Sequence, residues 1–145
     1  MALISVEEAL RRVLAGVETP VGAEPVALSA AAARTLAGDL AADRDQPPFP
    51  ASAMDGYAVR SADASRVPAR LPIVGTSAAG RRFTGALGAG QAVRIFTGAP
   101  VPDGADAIVL QEDTDRVGDE VVIKESARAG RHIRPAGLDF RAGDV

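Results

Sequence analysis

A chain of 145 residues that is 47% hydrophobic can bury one core or two small ones, and it is too apolar to stay disordered. Aromatics make up 3% and cysteine is absent, so aliphatic residues must fill the interior, and disulfides, cysteine-ligated metals and thiol nucleophiles are excluded. The net charge is −3 and no basic face is visible, which argues against nucleic acid and anionic membrane as partners.

Ser5-Val6-Glu7-Glu8 reads as a capping box, with the Ser5 hydroxyl accepting from the Glu8 N–H and the Glu8 carboxylate reaching back. Val6, Ala9, Leu10, Val13, Leu14 and Val17 then fall on one helical face, and Gly16 followed by Pro20 predicts the helix end. The stripe needs cover, so Leu10 and Leu14 are expected to face a partner subunit or a returning chain. Glu7 and Glu8 take the place of a basic leader, and no apolar run nears about 18 residues, so neither signal peptide nor membrane span is expected. That and the missing cysteines fit a cytoplasmic protein.

Val26 to Leu28 reads as a short extended segment. Ser29 is placed to cap a short helix over 30–36, stopped by Gly38, with Asp39 to Ala42 extended. Asp43 to Pro50 holds three prolines, which remove donors and fix φ, so it is read as a boundary between two domains.

Beyond residue 50 helical periodicity disappears. Tyr57–Val59, Leu71–Val74, Ala92–Phe96, Ala107–Leu110 and Val117–Ile123 are short β-type runs punctuated by Gly, Pro, Asp and Ser. Gly118-Asp119 suggests a tight hairpin inside the last of them. The fold class that follows is mainly β with α (α+β), a helical segment and then a small curved β-rich domain. Gly130 to Val145 has no clear period and stops in mid-phrase, so the natural chain is expected to continue past Val145.

Three segments could carry chemistry. In Ser52-Ala53-Met54-Asp55-Gly56-Tyr57-Ala58-Val59, Asp55 opens a strand; on spacing alone, a structural Asp-Gly turn is the plainer reading and a functional carboxylate the sharper one. In Arg94-Ile95-Phe96-Thr97-Gly98-Ala99-Pro100-Val101-Pro102, a hydroxyl meets a glycine at a strand exit; Thr97 either caps a turn or bonds an oxyanion. In Arg134 to Gly143, Asp139 sits among arginines and glycines, either as a screened surface pair or as a second carboxylate. His132 is the only histidine and cannot make a zinc site by itself. Phe49, Tyr57, Phe96 and Phe140 lie in or beside these segments, which suggests that the segments pack together and that Asp55, Thr97 and Asp139 converge on one face. Two carboxylates and a hydroxyl are hard oxygen donors suited to Mg²⁺, a water or an oxyanion. Neighbouring carboxylates would repel and raise one pKa unless Arg131, Arg134 or a cation offsets the charge.

Together these words resemble the molybdopterin molybdenumtransferases, the MoeA-like molybdenum insertases with gephyrin among their relatives. The resemblance rests on Pro47-Pro48-Phe49, Ser52 to Val59 (SAMDGYAV), Thr97 to Pro102 (TGAPVP), Gly104 to Glu112 (GADAIVLQE), and Arg134-x-x-Gly137-x-Asp139-x-x-x-Gly143. It covers essentially the whole chain. One departure stands out: Leu138 occupies the position where the family usually has Glu, and Leu can neither accept a hydrogen bond nor attract a cation.

The resemblance implies a homodimeric, elongated, four-domain enzyme that inserts molybdate into adenylylated molybdopterin with Mg²⁺ and releases AMP. It implies that this chain holds domain I (1–45, for dimerisation, with 140–145 as a candidate return) and the barrel-like domain II (46–139). The pterin-binding and C-terminal domains, with most of the Mg²⁺ ligands, would be missing. It implies catalytic roles for Asp55, Thr97 and Asp139, the carboxylates positioning water or Mg²⁺ or moving protons, and Thr97 bonding an oxyanion. A half-site is expected to be inactive alone. Two other readings stay open: a non-catalytic dimerisation or scaffold module of the same family, and a small β-type anion-binding module.

Overall fold

The computed structural model describes residues 3–17 and 21–145, and the chain divides into two compact units, Met1–Leu40 and Ala41–Val145. In the first unit, α1 spans Val6–Ala15. Ser5 caps it as expected, its Oγ accepting the Glu8 N–H at 3.2 Å. The second half of the capping box does not form. The Glu8 carboxylate turns along the helix instead, to Arg11 and Arg12, whose guanidinium groups hold it below the usual carboxylate range. Gly16 is the C-cap, and Pro20 lies outside the described residues. No residue of α1 is buried.

The helix expected over 30–36 is not there. A single 3-10 turn, Leu28–Ala30, takes its place, and no strand forms over 39–42. Alanine has the best intrinsic helix propensity, but a short segment without a packing partner does not repay the cost of nucleation. Leu36 and Leu40 are exposed and supply no such partner.

The second unit is β. Its strands are β1 (Ala51–Ser52), β2 (Gly56–Val59), β3 (Ala69–Ser77), β4 (Ala92–Ile95), β5 (Ala107–Leu110), β6 (Thr114–Val117), β7 (Glu120–Ile123) and β8 (Ile133–Arg134). Six of them form one curled, half-barrel sheet in the order β5-β2-β4-β3-β7-β6. All neighbours are antiparallel except β3 and β4. The long strand β3 changes partner midway, pairing with β7 over residues 69–72 and with β4 from Ile73 onward, and its register slips between Ile73 and Gly75. Such a slip bends and twists a sheet. A Cβ on Gly75 would lie 2.4 Å from the Phe83 ring, so only glycine lets that ring close over the strand. The expected hairpin forms between β6 and β7, with Gly118 at φ 63.

Alternation along the strands puts apolar residues on both faces of the sheet. Tyr57, Val59, Ala107, Val109, Val121 and Ile123 belong to one buried cluster. Ala58, Leu87, Val93, Ile95, Ala99 and Ile108 belong to the other. The remaining strands, β1 and β8, pair with each other, Ala51 opposite Arg134 and Ser52 opposite Ile133. The closing residues run back along 42–47: the Gly143 N–H donates to the Ala42 carbonyl, the Gln46 N–H to the Phe140 carbonyl and the Gly137 N–H to the Pro47 carbonyl, at 2.8–2.9 Å.

Candidate active site

Antiparallel pairing decides where Asp55 and Thr97 meet. Gly56, the first residue of β2, lies opposite Ile95, the last of β4. The residue before one strand and the loop after the other therefore come together, although 42 residues separate them. Gly56 is obligatory, since a Cβ there would stand 1.9 Å from the Val109 carbonyl oxygen. Gly98 serves the other loop with φ 78, a left-handed conformation that other residues adopt at a cost.

The contact is direct. Asp55 Oδ1 accepts the Thr97 backbone N–H at 2.8 Å and the Thr97 hydroxyl at 2.7 Å. Both bonds favour the ionised carboxylate, and Arg94 adds a weaker attraction, so Asp55 is held below the ordinary aspartate range despite some desolvation. The rise expected from a neighbouring carboxylate is absent here. It occurs elsewhere: a hydrogen bond with Glu125 pushes Asp113 up, while Arg131 holds Glu125 down.

Ser52 stiffens the loop below Asp55. Its hydroxyl donates to the Met54 carbonyl at 2.6 Å, its N–H donates to the Ala99 carbonyl, and its own carbonyl accepts from Gly98. The Ala53 N–H donates to the His132 carbonyl. β1 thus has β8 on one side and residues 98–100 on the other, so backbone pairing sets all three motif segments side by side.

Asp139 makes different bonds. Both of its oxygens accept from Nη2 of Arg134, at 2.5 and 2.6 Å, and its N–H donates to the Gln46 carbonyl. It bonds neither Asp55 nor Thr97. His132, through Nε2, accepts from Arg131 Nε at 3.1 Å.

Sequence reasoning missed two residues. The Arg94 guanidinium lies over the rings of Tyr57 and Phe96, and Gln111 Oε1 accepts a hydrogen bond from its Nη2. The available signal was a lone charge, Arg94, between the apolar Val93 and Ile95 of β4. Of the four aromatics expected to gather, Tyr57 and Phe96 do so around this arginine.

No group of three His, Asp or Glu suited to a metal ion exists among the described residues. Asp55 has Oδ1 already committed to two donors, which leaves Oδ2. One carboxylate oxygen is not an octahedral cage, so the described residues do not make a Mg²⁺ site of their own. A cavity of about 420 Å³ is lined by Glu125, Ser126, Arg128 and Arg131, none of them a candidate residue. Among the described residues no helix is long and apolar enough to cross a membrane.

Residues 4–145 match the family model described as the MoeA N-terminal region (domain I and II). The chain belongs to this family. Among MoeA relatives, molybdopterin molybdenumtransferase 2 of Mycobacterium tuberculosis is 46% identical over 122 residues, covering 81% of this chain and 30% of the relative. The molybdopterin molybdenumtransferase of Synechococcus elongatus is 39% identical over 147 residues, covering 97% of the chain and 36% of the relative. The crystal structure of a molybdopterin biosynthesis MoeA protein from Pyrococcus horikoshii OT3 superposes with a TM-score of 0.84 at 32% identity, covering 99% of this chain and 39% of that one. The chain thus spans about a third of the length of the curated MoeA relatives it matches.

Proposed function

We propose that this chain supplies the domain I and domain II part of a molybdopterin molybdenumtransferase, which inserts molybdate into adenylylated molybdopterin and releases AMP. The Asp55–Thr97 bond carries the reading. An ionised carboxylate, held by two donors through one oxygen, offers the other oxygen to a substrate in a fixed direction. Because its pKa is held low, Asp55 stays a carboxylate that is suited to orienting a water or a cation, and it is a weak base and poorly suited to protonating a departing oxo group. Thr97 spends both donors on Asp55, so its part is to position that carboxylate. Asp139, clasped by Arg134, acts only when an anion draws the arginine away or when the pair works as a unit. In this reading residues 1–45 serve a homodimer, 46–139 serve the site, and the remaining substrate contacts and Mg²⁺ come from outside these residues.

The test joins this chain, in place of the matching segment, to the rest of the Mycobacterium tuberculosis relative. Asp55→Asn should lower molybdate-dependent AMP release by about 100-fold or more, the scale of a lost proton-transfer or orienting group. Its thermal midpoint should fall only by what the charge-assisted Thr97 bonds contribute, with the chimera still fully folded at the assay temperature. An Asp55→Asn chimera of undiminished activity would overturn the catalytic reading and leave the scaffold reading, in which these loops only hold other domains.

A further inference from the structure

Arg94 is the one charged residue of β4, and its neighbours in that strand, Val93 and Ile95, are fully buried. It stands opposite Tyr57 across the β2–β4 pair. A half-buried guanidinium is costly unless its donors are used, and the usual partner is a carboxylate. Among the described residues Arg94 forms no such ion pair. It donates from Nη1 to the Gly56 carbonyl at 2.9 Å and from Nη2 to Gln111 Oε1 at 2.7 Å. Its guanidinium lies 5.2 Å from the Tyr57 ring centroid and 4.7 Å from that of Phe96, within cation–π range of both.

Gln111 closes the arrangement. Its backbone N–H donates to the Asp55 carbonyl at 3.2 Å while its side chain holds Arg94. The carbonyls of Asp55 and Gly56 are therefore both tied to the Arg94–Gln111 pair. Thr97, which grips the carboxylate, follows Phe96, whose ring lies in cation–π contact with the same arginine. The backbone of Asp55 and the loop of its side-chain partner share one anchor.

We propose that Arg94 is a positioning residue for Asp55, clamping the Asp55–Tyr57 backbone to Gln111 and locking Phe96 so that Thr97 meets the carboxylate. This rests on the reading of Asp55 as the functional carboxylate, but the two fail separately. The chimera assay tests whether Asp55 matters to activity. The clamp is tested on the unreacting chain.

Arg94→Lys and Arg94→Met are compared with the parent by NMR. The pH at which the Thr97 amide resonance moves reports the titration of Asp55, and its exchange rate reports the grip. In Arg94→Met the titration should move to higher pH, because a positive charge and an anchor are both gone. In Arg94→Lys it should move less, since the charge remains. Thr97 amide exchange should be about tenfold faster in both variants, because methionine bonds neither Gly56 nor Gln111 and a single ammonium cannot span both acceptors as the planar guanidinium does. An arginine that merely supports the fold would accelerate the core amide of Ile123 by the same factor. Equal acceleration at Thr97 and Ile123, with an unmoved titration, overturns the proposal. If Arg94→Met does not fold, Gln111→Leu replaces it. That variant removes the second anchor and should loosen Thr97 without touching Ile123, and an unchanged Thr97 amide there overturns the clamp equally.

Discussion

The two units of the chain use similar aliphatic residues to opposite ends. In Ala41–Val145, strand alternation delivers Val, Ile and Ala to two clusters on either face of a curled sheet, and their side chains are fully enclosed. In Met1–Leu40, Val6, Leu10, Val13, Leu14 and Val17 form as regular a pattern, yet all are exposed, Leu10 by 57% and Leu14 by 61%. Patterning alone therefore does not make a core. A β-run finds its cover in neighbouring strands of the same chain. A single amphipathic helix of ten residues is marginal in water without a partner for its apolar face.

The largest effect should come from Ile95→Ala. Ile95 is fully buried at the end of β4, and truncating such a residue costs about 2–5 kcal/mol through lost burial and the cavity left behind. A urea titration followed by a probe in the sheet should show the midpoint falling accordingly. A cost near zero would mean that the second unit is no better packed than the first. Gly98→Ala should come next. A Cβ at Gly98 meets nothing within 4 Å, so the cost is backbone strain alone, about 1–2 kcal/mol for a positive φ. The same titration separates this local strain at the site loop from the cavity cost in the core.

How far these regions can be read in advance differs with the physics behind each. α1 was legible because six apolar residues share one face and Ser5 marks its start. The false helix over 30–36 arose from propensity without a stripe to bury. β2, β4, β5 and β7 were legible in place, whereas β1 and β8, two residues each, were not read as strands and β6 was reached only at Val117. β3 was read as Leu71–Val74 but runs over Ala69–Ser77, because Pro72 and Gly75 look like breakers. In the fold they stand where β3 changes partner and register, positions that tolerate a missing donor or a missing side chain. Asp55 and Thr97 were legible only as family words, since a contact across 42 residues depends on the β2–β4 register. Arg94 was passed over because its partners are backbone and amide groups with no sequence signature. The separate pairing of Asp139 with Arg134 follows side-chain geometry that spacing does not encode.

Acid should expose a smaller difference. Asp55 is depressed in the folded chain, so its bonds with Thr97 stabilise the fold at pH values above the ordinary aspartate range of about 3.9. That contribution is lost as pH falls through the lower, folded-state value. Asp55→Asn removes it at every pH, so the parent should be the more stable near neutrality and the two should converge in acid. Urea midpoints measured from pH 7 down to 2 check this. A gap that persists at the lowest pH would mean that Thr97 holds the loop without help from the negative charge.

The smallest effect belongs to the helix stripe, and it cuts most directly at the contrast between the units. Leu10 and Leu14 bury little in this chain, so replacing either with Ser removes almost no buried area. Each should change the unfolding free energy of the chain by no more than about 0.5 kcal/mol, the usual range for surface positions. Apolar stripes of this kind do not stay open at no cost, and the proposed homodimer would cover this one. If so, the Leu10→Ser, Leu14→Ser double variant should behave as a monomer in sedimentation at concentrations where the parent associates, while its sheet unfolds at the parental urea concentration. Should Leu10→Ser instead destabilise a monomeric chain as severely as Ile95→Ala, the stripe is buried within the chain in solution, and the contrast drawn between the two units is wrong.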